Sequence, residues 1–276
     1  MGKTIFKSTR IAGAIVVTAI MFFPVYWLLI TSFKSPYELR MATPSFWPDK
    51  FLWKNYIEAW NSAPFGRYLL NTITKTSGIL ILQMNVTLWA AFAFAKGKFW
   101  GRDKLFLLVL AALIVPTQVT FVPIYVMLSK VGWINTFYAL IIPHGASAYA
   151  IFLLRQAFKS INDNVLEAAR VDGAGRFTIL YRILSPMAYP TIATLIVLTF
   201  ISSWNEYFWP LVMTNSDQMR VLTVGIASMR EAIAGNEALS FHLLSAASIM
   251  VIIPIVLVFF FAQKHIVSAM SNSTFK

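Results

Sequence analysis

A single acidic residue, Glu206, lies inside a long apolar stretch of this 276-residue chain. An ionisable side chain in hydrocarbon is costly unless it faces water or a partner, so its presence indicates a functional site. Its neighbours Trp204, Asn205 and Tyr207 could contact a hydroxyl-rich solute, because aromatic faces stack on sugar rings and amides bind hydroxyls. The alternative is an aromatic belt at a bilayer surface, in which Glu206 simply reaches water. The residue types leave both interpretations open.

Polar side chains also interrupt an earlier apolar stretch, at Lys75, Gln83 and Asn85. These side chains could line a cavity or hydrogen-bond neighbouring helices, and hydrogen bonding is favoured for Gln83 and Asn85, although Asn85 is also a candidate for the same solute pathway. Lys75 is expected to extend its amine outward to water. His144 follows a proline and is expected to be packed and hydrogen-bonded rather than to relay protons.

Signals for chemistry performed by the chain itself are missing from the sequence. The absence of cysteine excludes disulfides, thiolate catalysis and cysteine-ligated zinc. The scattered histidines and acids form no constellation typical of a metal site. A complete phosphate-binding loop is also missing, since residues 2–4 (Gly-Lys-Thr) lack the leading glycine. We therefore predict no catalytic residue, no metal and no bound cofactor in this chain, which is not an enzyme.

Composition places the chain in a membrane. Hydrophobic residues make up 58% of it, charged residues only 12%, and the mean hydropathy is +0.67. In soluble domains, roughly a quarter of all residues are charged. The net charge of +12 could suggest that the chain binds nucleic acid, but the basic residues cluster beside apolar runs. Membrane topology explains that distribution better, so no nucleic-acid partner is expected.

Six apolar stretches are long enough to span a bilayer. The predicted spans cover about residues 11–33, 69–95, 105–128, 137–156, 188–212 and 241–262. Pro116 and Pro123 predict kinks in the third. An even number of spans puts both termini on one side, and the density of Lys and Arg in the short loops of that side indicates the cytoplasm. The prediction is one all-α integral membrane domain over residues 1–276.

A polar segment of residues 160–186 separates the fourth and fifth spans, on the predicted cytoplasmic side. Ser160 and Asp163 fit a capping box at a helix start. Gly173 and Gly175 are expected to end that helix, because glycine adopts the left-handed C′ conformation without strain. A second short helix follows, with Phe177, Leu180, Ile183 and Leu184 at helical spacing. We expect a compact pair of helices projecting from the membrane.

This segment resembles the Glu-Ala-Ala loop of the permease subunits of binding-protein-dependent ABC importers. The resemblance is carried by Glu167-Ala168-Ala169, Asp172-Gly173-Ala174, Ile183 and Pro186. Ser185 and Asn162 differ from the residues usual in the family. In that family the loop forms the coupling helices that dock into a cleft of a cytoplasmic ATPase. The resemblance thus implies that these residues, Ala174 included, couple the chain to the ATPase: Glu167 is a polar anchor, Ala168 and Ala169 permit close approach, and Asp172 and Gly173 shape the turn. The alternative for Asp172 is a solvated surface acid.

The resemblance covers nearly the whole chain. It extends to the carbohydrate-uptake branch, and in particular to the second permease of maltose-type systems. The matching stretches are residues 26–34, the Ala-Phe-Ala-Phe-Ala run from Ala91, Gly101-Arg102, residues 204–207 and residues 263–267. Residues 270–274 differ from the glycine-rich tail common in such permeases.

The resemblance implies a type I ABC importer permease fold with six transmembrane helices and both termini in the cytoplasm. The implied partners are a homologous second permease, two ATPase subunits that bind ATP and Mg, an extracytoplasmic solute-binding protein and the lipid bilayer. The implied location is the bacterial cytoplasmic (inner) membrane. The expected solute is a sugar or oligosaccharide, and the alternative is a glycerol-phosphate-type solute.

Two other classes of membrane protein fit the sequence less well. A secondary transporter would show more spans, an internal repeat and several buried acids for ion coupling. A membrane enzyme would need clustered catalytic His, Asp or Glu residues at one depth. With one acid inside a predicted span, neither pattern is visible.

Overall fold

A computed structural model describes the backbone of residues 2–233 and 237–274, and the side chains of residues 10–231 and 241–260. Throughout the described backbone the regular structure is helical, with no strand, which confirms the all-α prediction. The side chains of residues 263–267 and 270–274, which entered the sequence comparison above, lie outside the described side chains.

The α-helices of the described backbone, in chain order, are α1 (Gly2–Phe33), α2 (Pro36–Leu39), α3 (Lys54–Asn61), α4 (Phe65–Lys96), α5 (Arg102–Ala111), α6 (Thr117–Lys130), α7 (Phe137–Ile141), α8 (Ala148–Ser160), α9 (Asp163–Val171), α10 (Arg176–Thr178), α11 (Ser185–Met187), α12 (Tyr189–Asn205), α13 (Phe208–Met213), α14 (Leu222–Ile233) and α15 (Glu237–Thr274). A 3₁₀ helix, Ile142–His144, follows α7, and a π-helix, Ile179–Leu184, joins α10 to α11.

Three described helical segments are long and apolar enough to cross a membrane: Arg10–Phe33, Phe65–Lys96 and Phe241–Phe260. Their positions match the first, second and sixth predicted spans. Two bent pairs pass the same criteria together, Phe137–His144 with Ala148–Lys159 at 42° and Arg176–Met187 with Tyr189–Asn205 at 86°. If each pair crosses once, the described residues contain up to five candidate spans.

The predicted third span, residues 105–128, consists of two helices, α5 and α6. The chain between them ends at Pro116, which takes an extended conformation (φ −62°, ψ 131°) and occupies the position just before α6. The kink expected at Pro116 is thus a complete break, because proline cannot donate an intrahelical hydrogen bond to the preceding turn. Pro123 lies inside α6.

The chain divides into two compact units, the first comprising Met1–Gly66 and Leu222–Pro254 and the second Arg67–Val221 and Ile255–Lys276. In the first unit the segment after α1 is ordered by an aromatic cluster. The ring of Phe33 lies 5.2 Å from Phe51, 4.8 Å from Trp53 and 5.3 Å from Tyr56. This segment is therefore packed despite its irregular backbone.

A capping box also orders this segment, at α2. Ser35 and Glu38 exchange side-chain and backbone hydrogen bonds, and the Asp49 N–H donates to Glu38 at 3.0 Å. Burial raises the pKa of Glu38, but these donors and the Lys34 charge outweigh burial and hold the pKa below its usual value. The carboxylate stays ionised and keeps the turn closed.

The second unit contains an apolar core on which the segment between α8 and α12 is packed. Its buried centre includes Leu154, Phe158, Leu166, Leu180 and Leu184. The helices of this unit are also interrupted, between α5 and α6, after the 3₁₀ helix at Gly145, and between α12 and α13 at Glu206. Within a bilayer such breaks are tolerated where the backbone is buried in protein or lines a water-filled cavity.

Candidate functional site

A cavity of about 810 Å³ lies where those three interruptions of the second unit come together. It is lined by parts of α4, α6, the 3₁₀ helix and its following turn, α12 and α13. Many of the described lining residues carry a hydroxyl or amide group: Gln83, Thr117, Gln118, Thr120, Ser147, Thr199, Ser202 and Ser203. The remaining ones are Glu206, His144 and apolar residues. The cavity can therefore solvate a polar solute within an apolar chain.

Close packing and capping hold the backbone around this cavity in place. A Cβ atom on Gly145 would come within 2.7 Å of the Leu82 side chain, so glycine lets the turn after the 3₁₀ helix approach α4 without displacing Leu82. Ser147 then starts α8, since its hydroxyl accepts the Ala150 N–H at 3.2 Å. On α13, the indole N–H of Trp209 donates to the Ala139 carbonyl at 2.9 Å.

Glu206 is the charged centre of the cavity. It sits in the extended residue that ends α12 (φ −65°, ψ 123°). Its Oε2 atom lies 3.4 Å from Lys75 Nζ, and its Oε1 atom lies 3.5 Å from His144 Nε2. The carboxylate thus faces two nitrogen-bearing side chains from two other elements.

The prediction that Lys75 extends its amine outward to water is wrong. Its side chain is fully buried and pairs with Glu206. A buried ammonium needs an opposite charge close by, and the sequence alone did not indicate that α4 brings Lys75 against α12. His144 is packed as predicted, edge-on to Trp209 with ring centres 5.3 Å apart. Among the described residues its Nε2 atom has no hydrogen-bond partner, so the predicted hydrogen bonding is not observed at that atom.

The structure brings only Glu206, of the predicted pathway residues, to the cavity wall. Trp204 is buried and stacks on Phe200, and Asn205 donates to the Ile201 carbonyl at 2.9 Å. Tyr207 is exposed without lining the cavity. Asn85 accepts a hydrogen bond from the Tyr181 hydroxyl at 3.1 Å. Solute contact by these other residues stays a prediction.

The hydroxyl face of α12 was missed at the level of sequence, although a signal for it exists. Thr199, Ser202, Ser203 and Glu206 are spaced by three, one and three residues, which places them on one helical face. All four line the cavity. Helical periodicity of polar rather than apolar residues would have identified this wall.

A second candidate site is the Glu-Ala-Ala segment, defined here as residues 162–187. Its first helix, α9, begins two residues later than predicted, since Ser160 is the last residue of α8. The capping residue is Asn162, whose side-chain oxygen accepts the Asn164 N–H at 3.0 Å. The predicted Ser160–Asp163 capping box is therefore wrong: Asp163 instead binds Lys96 Nζ at 2.6 Å.

The bond to Lys96 lowers the pKa of Asp163, through its hydrogen bond first and its positive charge second. Lys96 also donates to the Ile161 carbonyl at 2.7 Å. The last residue of α4 thus holds the backbone just before the Glu-Ala-Ala segment and the Asp163 side chain within it.

Gly173 ends α9 as predicted. Its φ of +81° is left-handed, and the N–H groups of Ala174 and Gly173 bond the carbonyls of Ala169 (2.9 Å) and Arg170 (3.0 Å). This is the Schellman arrangement, which requires glycine or a strained residue at C′. Gly175 has an ordinary extended conformation with φ of −73°, so it does not share this role.

The second half of the Glu-Ala-Ala segment is the predicted second helix, built from α10, the π-helix and α11. Leu180 and Leu184 are fully buried, and the Ser185 hydroxyl donates to the Leu180 carbonyl at 2.7 Å. The Tyr181 hydroxyl, besides its bond to Asn85, accepts the Trp89 indole N–H at 3.1 Å. Two α4 side chains therefore hold this half of the segment.

Burial divides α9 into two faces. Leu166 and Ala169 are buried against the core, whereas Glu167, Ala168 and Asp172 are exposed. Among the described residues, the Glu167 side chain has no ion pair or hydrogen bond. The exposed face is therefore available to a partner, while the opposite face fixes the helix to the chain.

Comparison with known proteins gives matches over nearly the full length. The chain is 31% identical over 261 residues to the diacetylchitobiose uptake system permease protein NgcG of Streptomyces coelicolor, covering 94% of this chain and 85% of that protein. It is 30% identical to the sn-glycerol-3-phosphate transport system permease protein UgpE of Yersinia pestis, covering 92% of each. The arabinooligosaccharides transport system permease protein AraQ of Halalkalibacterium halodurans is 29% identical, with 94% and 92% covered.

A solved structure shares the fold. A chain of a bacterial ABC transporter involved in the import of the acidic polysaccharide alginate superposes with a TM-score of 0.86 at 23% identity, covering 96% of this chain and 98% of that one. The predicted type I importer permease fold is thereby confirmed.

The family described as binding-protein-dependent transport system inner membrane component matches residues 84–272. The matched range contains the cavity wall from α6 to α13 and the whole Glu-Ala-Ala segment. The predicted permease subunit of a binding-protein-dependent ABC importer is confirmed, and with it the inner-membrane location. This chain belongs to the inner membrane components of binding-protein-dependent transport systems.

Proposed function

We propose that this chain forms half of the translocation pathway for a sugar or oligosaccharide, in the role of the second permease of a maltose-type importer. The observation that carries the proposal is the cavity, whose wall combines Glu206 with several hydroxyl and amide side chains. Such groups exchange hydrogen bonds with sugar hydroxyls, and aromatic rings such as Phe208 and Trp209 offer apolar faces.

The names of the relatives support a carbohydrate but do not settle its charge. Diacetylchitobiose and arabinooligosaccharides are neutral sugars, whereas glycerol 3-phosphate and alginate are anions. A glycerol-phosphate-type solute therefore remains the second candidate, supported by the 30% identity with the Yersinia permease.

Coupling to an ATPase is assigned to the exposed face of α9 and the turn after it. Glu167 supplies a charge without a partner among the described residues, and Ala168 leaves room for a second backbone. Ala169 packs inward, while Asp172, Gly173 and Ala174 form the tight turn that ends the helix. In this proposal ATP and Mg bind to the partner ATPases, and the chain contributes only the docking surface.

Helix α4 connects the two sites. Near its end, Trp89 and Lys96 contact the Glu-Ala-Ala segment. Further back along the same helix, Gln83 lines the cavity and Lys75 pairs with Glu206. Because a helix is stiff along its axis, displacement of the Glu-Ala-Ala segment is passed by α4 to the cavity wall.

The proposal includes one transmembrane domain over residues 1–276 with six spans and cytoplasmic termini. Breaks inside the third and fifth predicted spans fit crossings made of two helical pieces, as in other transporters whose broken helices surround a cavity. The assembly is completed by a homologous permease, two ATPases and an extracytoplasmic solute-binding protein.

Reconstitution of this assembly in proteoliposomes tests the function. Uptake of a neutral oligosaccharide should require ATP on the ATPase side and the binding protein on the other. The cysteine-free chain also permits a topology test, in which Val171→Cys should react with an impermeant thiol reagent from the ATPase side alone. Uptake without nucleotide, or labelling of that cysteine from the opposite side, would contradict the proposal.

A further inference from the structure

The two charged side chains at the cavity lie at different distances from its surface. Glu206 lines the cavity, with its side chain about one-quarter exposed (24%), whereas Lys75 is fully buried and does not line it. Among the described lining residues there is no lysine or arginine. His144 is the other titratable lining group, and an imidazole is mostly uncharged at pH 7. A solute in the cavity therefore meets the carboxylate first.

We infer that the cavity selects uncharged, hydroxyl-rich solutes and excludes anions. The inference rests on the proposed function and refines it, because the relatives transport solutes of both kinds. Lys75 acts as the internal counter-ion that allows Glu206 to stay ionised in an apolar chain. It is a positioning residue, and the described cavity lining offers no lysine or arginine to an anionic solute.

An anion would lose its hydration on entry without gaining a cationic partner. Phosphate and carboxylate groups are bound in proteins mainly by Arg, Lys or clustered N–H donors. The lining instead offers hydroxyls and side-chain amides from Gln83, Gln118, Ser202 and Ser203. Neutral hydroxyls can donate to Glu206 and accept from these amides.

Direct recognition of an anion by Lys75 would need a different arrangement. The anion would have to displace Glu206 from its position 3.4 Å from Lys75 Nζ and reach a side chain with no exposed surface. The expelled carboxylate would then lie beside the anion in the same cavity wall. Like charges so close together are unfavourable, so the observed pairing favours a neutral solute.

Thiol chemistry can measure this preference without knowledge of the natural solute. The chain has no cysteine, so Ser202→Cys introduces one thiol into the cavity wall, three residues from Thr199 and four from Glu206 on the same face. The complete importer, with cysteine-free partner subunits, is treated with two methanethiosulfonates of similar size. One carries a trimethylammonium-ethyl group and the other a sulfonato-ethyl group.

Each labelling rate is divided by the rate of the same reagent with a small free thiol, and nucleotide-free and ATP-bound states are both measured. The cationic reagent should label Ser202→Cys faster than the anionic one, by on the order of tenfold in the more reactive state. In the background Lys75→Met with Glu206→Gln, which removes both charges together, the two normalised rates should become equal.

A faster reaction with the anionic reagent would overturn the inference, as would a preference unchanged in the double variant. Lack of reaction with either reagent in both states would also overturn it, because the cavity would then not be open to a polar solute. The labelling needs no transport. Failure of the importer to take up any sugar would therefore refute the proposed function while the charge preference could still be observed.

Discussion

In the Glu-Ala-Ala segment, the cap and the turn that bound α9 are formed by residues close in sequence, whereas the cavity is assembled from side chains far apart in the chain. The Asn162 side chain caps α9 by accepting the Asn164 N–H, two residues later. At the other end, the N–H groups of Gly173 and Ala174 bond the carbonyls of Arg170 and Ala169. At the cavity, Glu206 meets Lys75 from 131 residues away and His144 from another element. The first region is the proposed docking surface, whose helix ends are specified locally, and the second is a charge cluster that exists only after the helices pack.

The difference suggests how each region responds to change. Loss of a local cap loosens one helix end, and the rest of the segment keeps its packing on Leu166, Leu180 and Leu184. Loss of one buried charge leaves its partner without compensation at the meeting point of several helices. We therefore expect larger effects on stability at the cavity and larger effects on coupling at the Glu-Ala-Ala segment.

The largest effect on stability is expected from Lys75→Met, which leaves Glu206 without its ammonium partner. Breaking a buried ion pair typically costs about 3–5 kcal/mol, while replacing both members costs much less. Thermal unfolding of the purified protein should show a strong loss for Lys75→Met and a substantial recovery when Glu206→Gln is added. If the double variant were less stable than the single one, the two residues would not be coupled as described.

The largest effect on coupling is expected from Glu167→Lys, which reverses the charge on the exposed face of α9. Because Glu167 has no internal partner among the described residues, stability and membrane insertion should be unchanged. ATP-dependent uptake should fall by about tenfold or more, as expected for the loss of a typical coupling energy. Glu167→Gln provides the matched control of equal size. Uptake at the wild-type rate in Glu167→Lys would remove this residue from the docking surface.

Alanine variants of the two glycines after α9 should distinguish the effect of backbone strain from the effect of packing. Gly173→Ala should destabilise α9 by about 1–2 kcal/mol, since its φ of +81° is unfavourable for any residue with a Cβ atom. Gly175→Ala is the control, because its φ is −73° and the added methyl group meets no atom within 4 Å. Unfolding midpoints of the two variants should differ clearly. Equal midpoints would show that the left-handed turn does not determine stability here.

A smaller effect is expected from Tyr181→Phe, which removes the hydroxyl shared by Asn85 and Trp89. Loss of such a hydrogen-bonded group costs about 1 kcal/mol. If α4 transmits movement from the Glu-Ala-Ala segment, the ratio of solute moved to ATP hydrolysed should also fall. Tyr149→Phe, at an exposed position on α8, is the control that should change neither quantity. A normal ratio in Tyr181→Phe would show that this contact is structural only.

The smallest effect concerns pH, at the pair formed by Asp163 and Lys96. The pKa of Asp163 is lowered in the folded protein, so its stabilising contribution is complete above the usual aspartate pKa of 3.8. The contribution is lost as the pH falls through the lowered folded-state pKa. Asp163→Asn should therefore reduce the difference in stability between pH 7 and pH 3, measured by denaturant unfolding. An unchanged difference would mean that other carboxylates account for the acid sensitivity.

Local chemistry explains why much of the fold was predictable. Long apolar stretches predict helices because a backbone in hydrocarbon must satisfy its hydrogen bonds within the segment, and α1, α4 and α15 follow that rule. Gly173 was identified as a helix end for a similar reason, since its left-handed conformation depends on one residue. The cap at Ser160 was misplaced because Asn162, two residues later, also has a side chain that caps a helix.

The sequence by itself determined a helical membrane protein, the position of the Glu-Ala-Ala turn, and one buried acid in need of a partner. Hydropathy, glycine geometry and the cost of charge in an apolar stretch are sufficient for these conclusions. Only the tertiary structure decided that the partner of Glu206 is Lys75 and that three helix interruptions enclose one cavity. Such pairings depend on which helices pack together, and that is decided by the summed contacts of many residues distant in the chain.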